Sequence, residues 1–205
     1  MGTILFLIFI LYLGYDVFSP PRKTASVILC FAVAVNNLPL IALARTEARI
    51  FAPPAEIFAF AVECIFVALF EEFAFRGLLF PFILQKFPKS KKSLFISIIV
   101  SSAVFGLFHA VNLIYGESPA SVVLQIGYSF LIGCMCAFCL YKTRNILVCA
   151  LVHAIYNFCG GAVPRLGEGN MLNIPQIILA SVVSLICAIY IILNLIKTSQ
   201  DEYTF

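Results

Sequence analysis

Three stretches of this chain, residues 93–112, 118–141 and 174–196, each run the thickness of a bilayer without one Asp, Glu, Lys or Arg. About 20 mostly apolar residues suffice for a helix to cross the hydrocarbon core, so such runs read as membrane helices. The rest of the chain does not offset them. Of 205 residues, 62% are hydrophobic and 11% charged, and a soluble domain of that make-up would expose apolar patches far larger than monomers tolerate. The expected fold is all-α: a polytopic transmembrane helical bundle of about seven spans (six to eight), with residues 1–205 forming a single membrane-embedded domain.

The spans are expected near residues 2–18, 25–44, 54–84, 93–112, 118–141, 145–158 and 174–196. Asn36-Asn37 and Pro39 interrupt the second, Pro53-Pro54 opens the third, and Gly160-Gly161 reads as a stop for the sixth. At about 31 residues, or roughly 46 Å if helical, the third exceeds a bilayer core, so it is tilted, broken or two elements. The first lacks a basic leader and a small-residue cleavage site, which favours a retained span over a signal peptide. Loops one, three and five carry Arg22, Lys23, Lys86, Lys89, Lys91, Lys92, Lys142 and Arg144, against Arg45, Arg49 and Arg165 in loops two, four and six. By the positive-inside rule the richer set is cytoplasmic, with the N-terminus outside and the C-terminus inside.

A net charge of +3 without a basic, aromatic-interleaved tract gives no expectation of a nucleic-acid partner. The eight cysteines show no paired CxxC spacing, and Cys134, Cys136 and Cys139 suit helix packing better than metal or redox work.

Against this background a few residues stand out, because an ionisable group at membrane depth costs roughly 2.5–3.5 kcal/mol and is a functional hypothesis by default. Glu71, Glu72 and Arg76 interrupt the third span; His109 sits in the fourth; His153 and Asn157 sit in the sixth. Both histidines of the chain are in this set. Glu72 and Arg76 are four apart and can pair along one helix face, leaving Glu71 to point elsewhere. His153 and Asn157 share the same spacing and present an imidazole and an amide to one place. Phe105, one turn before His109, can pack beside its ring.

A carboxylate and an imidazole sharing a water can activate it as a nucleophile, and a second imidazole with an amide can stabilise an oxyanion. Equally, His109, His153 and Glu71 could hold zinc, which would acidify the water itself. Both routes hydrolyse a carbonyl compound. No Gly-x-Ser-x-Gly turn is present and no Ser or Cys stands beside a histidine as a nucleophile, so covalent catalysis is the weaker reading. A lone Glu–Arg pair, buried His or Asn would each be ordinary helix glue; three polar faces on three apolar helices are not. A proton-relay transporter would use similar residues, but the chain lacks inverted-repeat character.

Glu71-Glu72-x-x-x-Arg76, Phe105-x-x-x-His109 and His153-x-x-x-Asn157, in that order on successive apolar segments, resemble the three motifs of the CPBP family (CAAX proteases and bacteriocin-processing enzymes, also called Abi), which includes the type II CAAX prenyl endopeptidase. The resemblance covers a motif core of about residues 54–161. It implies an intramembrane endopeptidase in a multi-pass membrane protein, expected in a bacterial cell membrane, acting on a membrane-associated peptide or protein. It further implies that Glu71 and His109 bind and activate the water, that Arg76 holds Glu72 in support, and that His153 and Asn157 form the oxyanion hole. The family is described both as zinc-dependent and as glutamic-type. The metal-free route is favoured here, because Arg76 beside a cation is unfavourable. Family members commonly have about eight helices, one more than expected for this chain. Some bacterial relatives serve bacteriocin immunity, so a non-catalytic peptide-binding protein is the alternative.

Overall fold

The computed structural model describes residues 2–169 and 173–197. Among these residues the fold is all-α apart from one three-residue pair of strands. Helix α1 (Gly2–Leu13) is shorter than the expected span because Gly14 adopts φ +69° and closes it. The Tyr15 N–H bonds Ile10 O and the Gly14 N–H bonds Leu11 O, the paired bonds of a glycine-terminated helix.

A 3₁₀ turn (Thr24–Val27) leads into α2 (Ile28–Asn36), and α3 (Leu40–Ala44) resumes after the break foreseen at Asn37–Pro39. The broken backbone is repaired from a distance. Gln176 donates to Asn36 O and Leu38 O, each at 3.3 Å, and accepts from the Ile41 N–H at 3.1 Å. Strand β1 (Ala48–Ile50) follows. Helix α4 (Pro54–Glu72) then runs without a stop into a π-helical segment (Phe73–Leu79) and α5 (Phe80–Gln85). The long third segment is thus one helix whose winding changes next to the glutamates.

Helix α6 (Lys91–Phe108) is capped by Ser90 and ends in a 3₁₀ turn (His109–Leu113). Helix α7 (Pro119–Thr143) starts on a Ser118 cap with proline in its first turn, and α8 (Ile146–Leu166) starts on Asn145, which accepts from two backbone N–H groups. Strand β2 (Gly167–Gly169) pairs antiparallel with β1, Ala48 facing Gly169, and α9 (Ile174–Lys197) completes the described chain.

Gly160-Gly161 does not stop the sixth segment. Helix α8 continues through both glycines to Leu166. They are contact points: the Asn37 amide occupies the space of a Gly160 Cβ, and the Phe60 ring that of a Gly161 Cβ. Asn37 Nδ2 donates to Tyr156 O at 2.9 Å, tying the break in the second segment to α8.

Among the described residues four helices, at residues 91–113, 119–143, 146–166 and 174–197, are long and apolar enough to cross a membrane, and the protein is an integral, multi-pass membrane protein. The other expected crossings are shorter or more polar. Residues 2–13 and 24–36 are apolar but only 12 and 13 residues long, and α4 carries Glu56, Glu63, Glu71 and Glu72.

Hydrogen bonds sort the loops between two ends of the bundle. At one end Arg22 N–H bonds Thr143 O, Asn145 Nδ2 bonds Ser19 O, and Lys91 Nζ bonds Ile196 O. At the other, β1 pairs with β2 and Asn173 bonds Glu47. Segment 15–22 covers the α7–α8 turn, and every residue from Met135 to Thr143 is buried. That turn is therefore enclosed by the segment that precedes α2.

Candidate active site

Glu71 and Glu72 close α4, and the π segment begins at the next residue. A π turn is wound more loosely than an α turn and is frequent at functional sites. Glu72, Phe73, Phe75, Arg76 and Gly77 are all buried here, a wider inward face than one α-helical stripe provides. Within it the Arg76 guanidinium donates Nη1–H to Glu72 Oε1 at 3.1 Å, and neither side chain touches solvent.

The same Glu72 oxygen accepts Nδ1–H of His153 from α8 at 2.7 Å. A carboxylate paired with a guanidinium has no proton to give, so Nδ1 is the donor and Nε2 faces the other way. It faces Glu71, with Oε2 at 3.4 Å.

His109 reaches the same carboxylate from the opposite side, its Nε2 3.9 Å from Glu71 Oε1. Its ring is also set by a bond at Nδ1. Where α6 tightens into the 3₁₀ turn, the His109 backbone N–H bonds Gly106 O and Leu107 O instead of Phe105 O. The Phe105 carbonyl is left to accept the His109 Nδ1–H at 3.1 Å. Both imidazoles thus have Nδ1–H committed, and both Nε2 atoms converge on the two oxygens of Glu71.

Phe105 packs at the centre of the cluster. Its ring meets His109 edge-on at 5.1 Å and His153 at 5.8 Å, and the Arg76 guanidinium carbon lies 4.3 Å over its face. That contact stabilises a cation away from water. Accessibility grades across the cluster, from 0% for Glu72 and Arg76 to 4% for His153 and 13–15% for His109 and Glu71. The Glu71 side is where a small molecule can enter.

Five of the six residues singled out in the sequence come together in this way. Asn157 lies one turn beyond His153 and lines an adjoining cavity of about 470 Å³, together with Val67 and Cys64 of α4, Tyr128 of α7, and Asn37. Val67 is one turn before Glu71, so this cavity lies on the α4–α8 seam one helical turn from the cluster. Tyr128, Tyr156 and Asn37 carry no local sequence signal for a site. Two are aromatic residues in apolar helices, and Asn37 reads as a helix break.

Two sets of atoms bear on metal binding. Ligand atoms of Glu72, Cys136 and His153 lie within 4.8 Å of one another. In that set Glu72 Oε1 and His153 Nδ1 are already spent on each other, and Arg76 shares the same oxygen. It is a hydrogen-bonded network beside a fixed cation. The donors expected for zinc from the sequence, His109, His153 and Glu71, stand with both Nε2 atoms toward Glu71, at 3.9 and 3.4 Å, and are not the set that closes to within 4.8 Å among the described residues.

Fold and site define a multi-pass helical membrane protein with a buried acid–histidine centre. Residues 53–159, which include all six of these positions, match the family described as Type II CAAX prenyl endopeptidase Rce1-like, and the chain belongs to this family of CAAX proteases. No curated protein and no solved structure matches the chain.

Proposed function

We propose that this protein is an intramembrane endopeptidase that hydrolyses a peptide bond of a membrane-associated peptide or protein with a water activated by Glu71. The observation that carries the reading is the convergence of two Nε2 atoms on one carboxylate, at 3.4 and 3.9 Å. Contacts of that length leave room for a water within hydrogen-bond reach of both groups. The water donates to Glu71 Oε1 and to His109 Nε2. Glu71 takes a proton as the oxygen adds to the carbonyl carbon, and returns it to the departing amine.

His153, doubly protonated and anchored on Glu72, presents Nε2–H to the developing oxyanion, and the Asn157 amide supplies the second donor. Glu71 and Glu72 then balance Arg76 and His153, with His109 neutral. A charge-neutral cluster suits a water-poor site, where an unpaired charge costs most. Zinc held by His109, His153 and Glu71 would instead polarise the water directly. The proposal runs on the protein's own groups, and zinc content of the purified protein with activity after chelation separates the two.

The cavity along α4 and α8 is the path for the peptide. The bilayer surrounds seven crossings, with the end that holds Arg22, Lys91 and Arg144 in the cytoplasm. The deciding experiment presents candidate membrane-bound peptides to wild-type, Glu71→Ala and His109→Ala protein and identifies products by mass spectrometry. Cleavage by wild type alone supports the assignment. Undiminished cleavage by either variant removes it.

A further inference from the structure

Two cavities in the protein share a wall. The cavity of about 470 Å³ that Asn157 lines is partly polar, with Asn37, Glu63 and Arg165 also on its surface. A second, of about 270 Å³, lies between α6, α7 and α9 and is walled by apolar residues such as Ile98, Leu131 and Ile191. Tyr128 of α7 and Tyr156 of α8 line both. Tyr128 is 46% exposed, and among the described residues neither its hydroxyl nor the Asn157 amide has a hydrogen-bond partner in the protein. A tyrosine hydroxyl taken out of water ordinarily finds a partner. Glu117 and Glu71 both act on the Tyr128 hydroxyl through their charge, whereas at Tyr156 the acting neighbour is Tyr128. Ile132 and Cys136 follow Tyr128 at intervals of four, one face of α7, and Cys136 Sγ lies within 4.8 Å of ligand atoms of Glu72 and His153. Tyr128 is thus on the helix face that reaches the cluster, eight residues or about 12 Å of helix away.

We propose that Tyr128 is a further substrate-binding residue, whose hydroxyl donates to a backbone carbonyl of the peptide that lies in the larger cavity. That the occupant is a peptide rests on the hydrolase reading above. The chemistry of the wall fits a peptide backbone. A carbonyl brought into an apolar bundle needs a donor, because an unmet one bears the full penalty of leaving water. A phenol supplies that donor with little loss of side-chain freedom, since it turns about only two torsions. An extended peptide covers about 12 Å in three or four residues, so the carbonyl held by Tyr128 belongs to a residue about that far from the scissile bond. Asn157 serves the reacting carbonyl, and Tyr128 serves one further along the chain. No local pattern marks Tyr128, which in Gln125-Ile-Gly-Tyr-Ser-Phe130 reads as one aromatic residue of a span.

The test is peptide binding to the inactive Glu71→Gln protein in detergent, with and without Tyr128→Phe, which keeps the ring and removes the hydroxyl. The probe is a dansyl-labelled, membrane-partitioning decapeptide of leucine and alanine, beside a set in which each backbone amide in turn is an ester, a weaker carbonyl acceptor. Tyr128→Phe is expected to weaken binding about tenfold at an unchanged unfolding temperature. With Tyr128 in place, one ester position is expected to weaken binding about threefold, and with Tyr128→Phe that position is expected to make no difference. A role in packing alone would not select one carbonyl of the peptide. Equal affinity of the two proteins, no bound probe in either, or an ester profile that Tyr128→Phe leaves intact overturns the proposal. Weaker binding in Tyr128→Phe with no hydrolysis of any peptide by wild type supports the contact and overturns the hydrolase reading instead. Hydrolysis by wild type with a KM that Tyr128→Phe does not move does the reverse. Should Tyr128→Phe not fold, the ester set read on the Glu71→Gln protein decides, by the presence or absence of one sensitive position.

Discussion

His153 on α8 donates Nδ1–H to Glu72 on α4 across 2.7 Å, and Glu72 is at the same time the acceptor for Arg76 four residues further along its own helix. One buried carboxylate oxygen therefore joins two helices and orients an imidazole. Removing one partner of such a group leaves the others charged and unpaired, at a cost of about 3–5 kcal/mol. Glu72→Ala is expected to lower the unfolding temperature in detergent markedly and to abolish activity. Unfolding at the wild-type temperature would show that the pair does not stabilise the α4–α8 contact.

Glu71 behaves differently, although it is adjacent in sequence. Its closest ionic contact is 3.4 Å and its side chain is 15% exposed, so no tight bond depends on it. Glu71→Gln keeps the shape and removes the base. Activity is expected to fall by about 10²- to 10⁴-fold, the usual contribution of general acid–base catalysis, with the thermal transition nearly unchanged. Rates are measured on the cleaved membrane peptide. An equally large loss of thermal stability would mean that Glu71 is part of the scaffold.

Much of this site was legible because membrane burial makes ionisable residues expensive. Glu71, Glu72, Arg76, His109 and His153 declared themselves by being charged or polar where Phe, Leu and Ala surround them, and the spacing of four paired Glu72 with Arg76 correctly. Their common level was not legible. Counting residues along each helix puts them at different depths, yet His153 on α8 meets Glu72 on α4 at 2.7 Å. The π segment leaves no mark either, since Phe73–Leu79 reads as ordinary apolar helix. Gly160-Gly161 misled for a definite reason. Glycine ends helices when it takes a left-handed conformation, but it also lets another chain approach, and here it does the second. The three-residue strands are too short to show a period of two.

That close approach is open to test. A methyl at residue 160 meets the Asn37 amide, which cannot retreat without breaking its 2.9 Å bond to Tyr156 O. Gly160→Ala is expected to destabilise the protein by about 1–3 kcal/mol, the usual penalty for overpacking. The helix propensity of alanine alone would act in the opposite direction. Thermal unfolding in detergent gives the sign, and a stabilised variant would show that α2 and α8 are not in contact there.

Gln176 offers a second structural test, distant from the reactive cluster. It satisfies Asn36 O, Leu38 O and the Ile41 N–H at the break between α2 and α3. Leucine has similar bulk and none of these bonds, so Gln176→Leu strands three backbone groups at about 1–3 kcal/mol each. Reduced stability with retained activity per folded molecule is the expected outcome. An unaffected unfolding temperature would show that solvent or lipid headgroups already serve the break.

The sorting of loops predicts which side of the membrane each end faces. Lys91 lies at the end held together by Arg22, Thr143 and Ile196, and Glu168 lies on the opposite β1–β2 ribbon. Seven of the eight native cysteines are buried, and Cys134 is half-buried, so a new surface thiol is labelled against a low background. Lys89→Cys, two residues before Lys91, is expected to react with a membrane-impermeant maleimide only in inside-out vesicles, and Glu168→Cys only in right-side-out ones. The basic residues of the first end set that direction, because translocating Lys and Arg across the membrane is disfavoured. Both sites labelled from the same face would contradict the alternation of the helices; the reverse pattern would keep the alternation and invert the orientation.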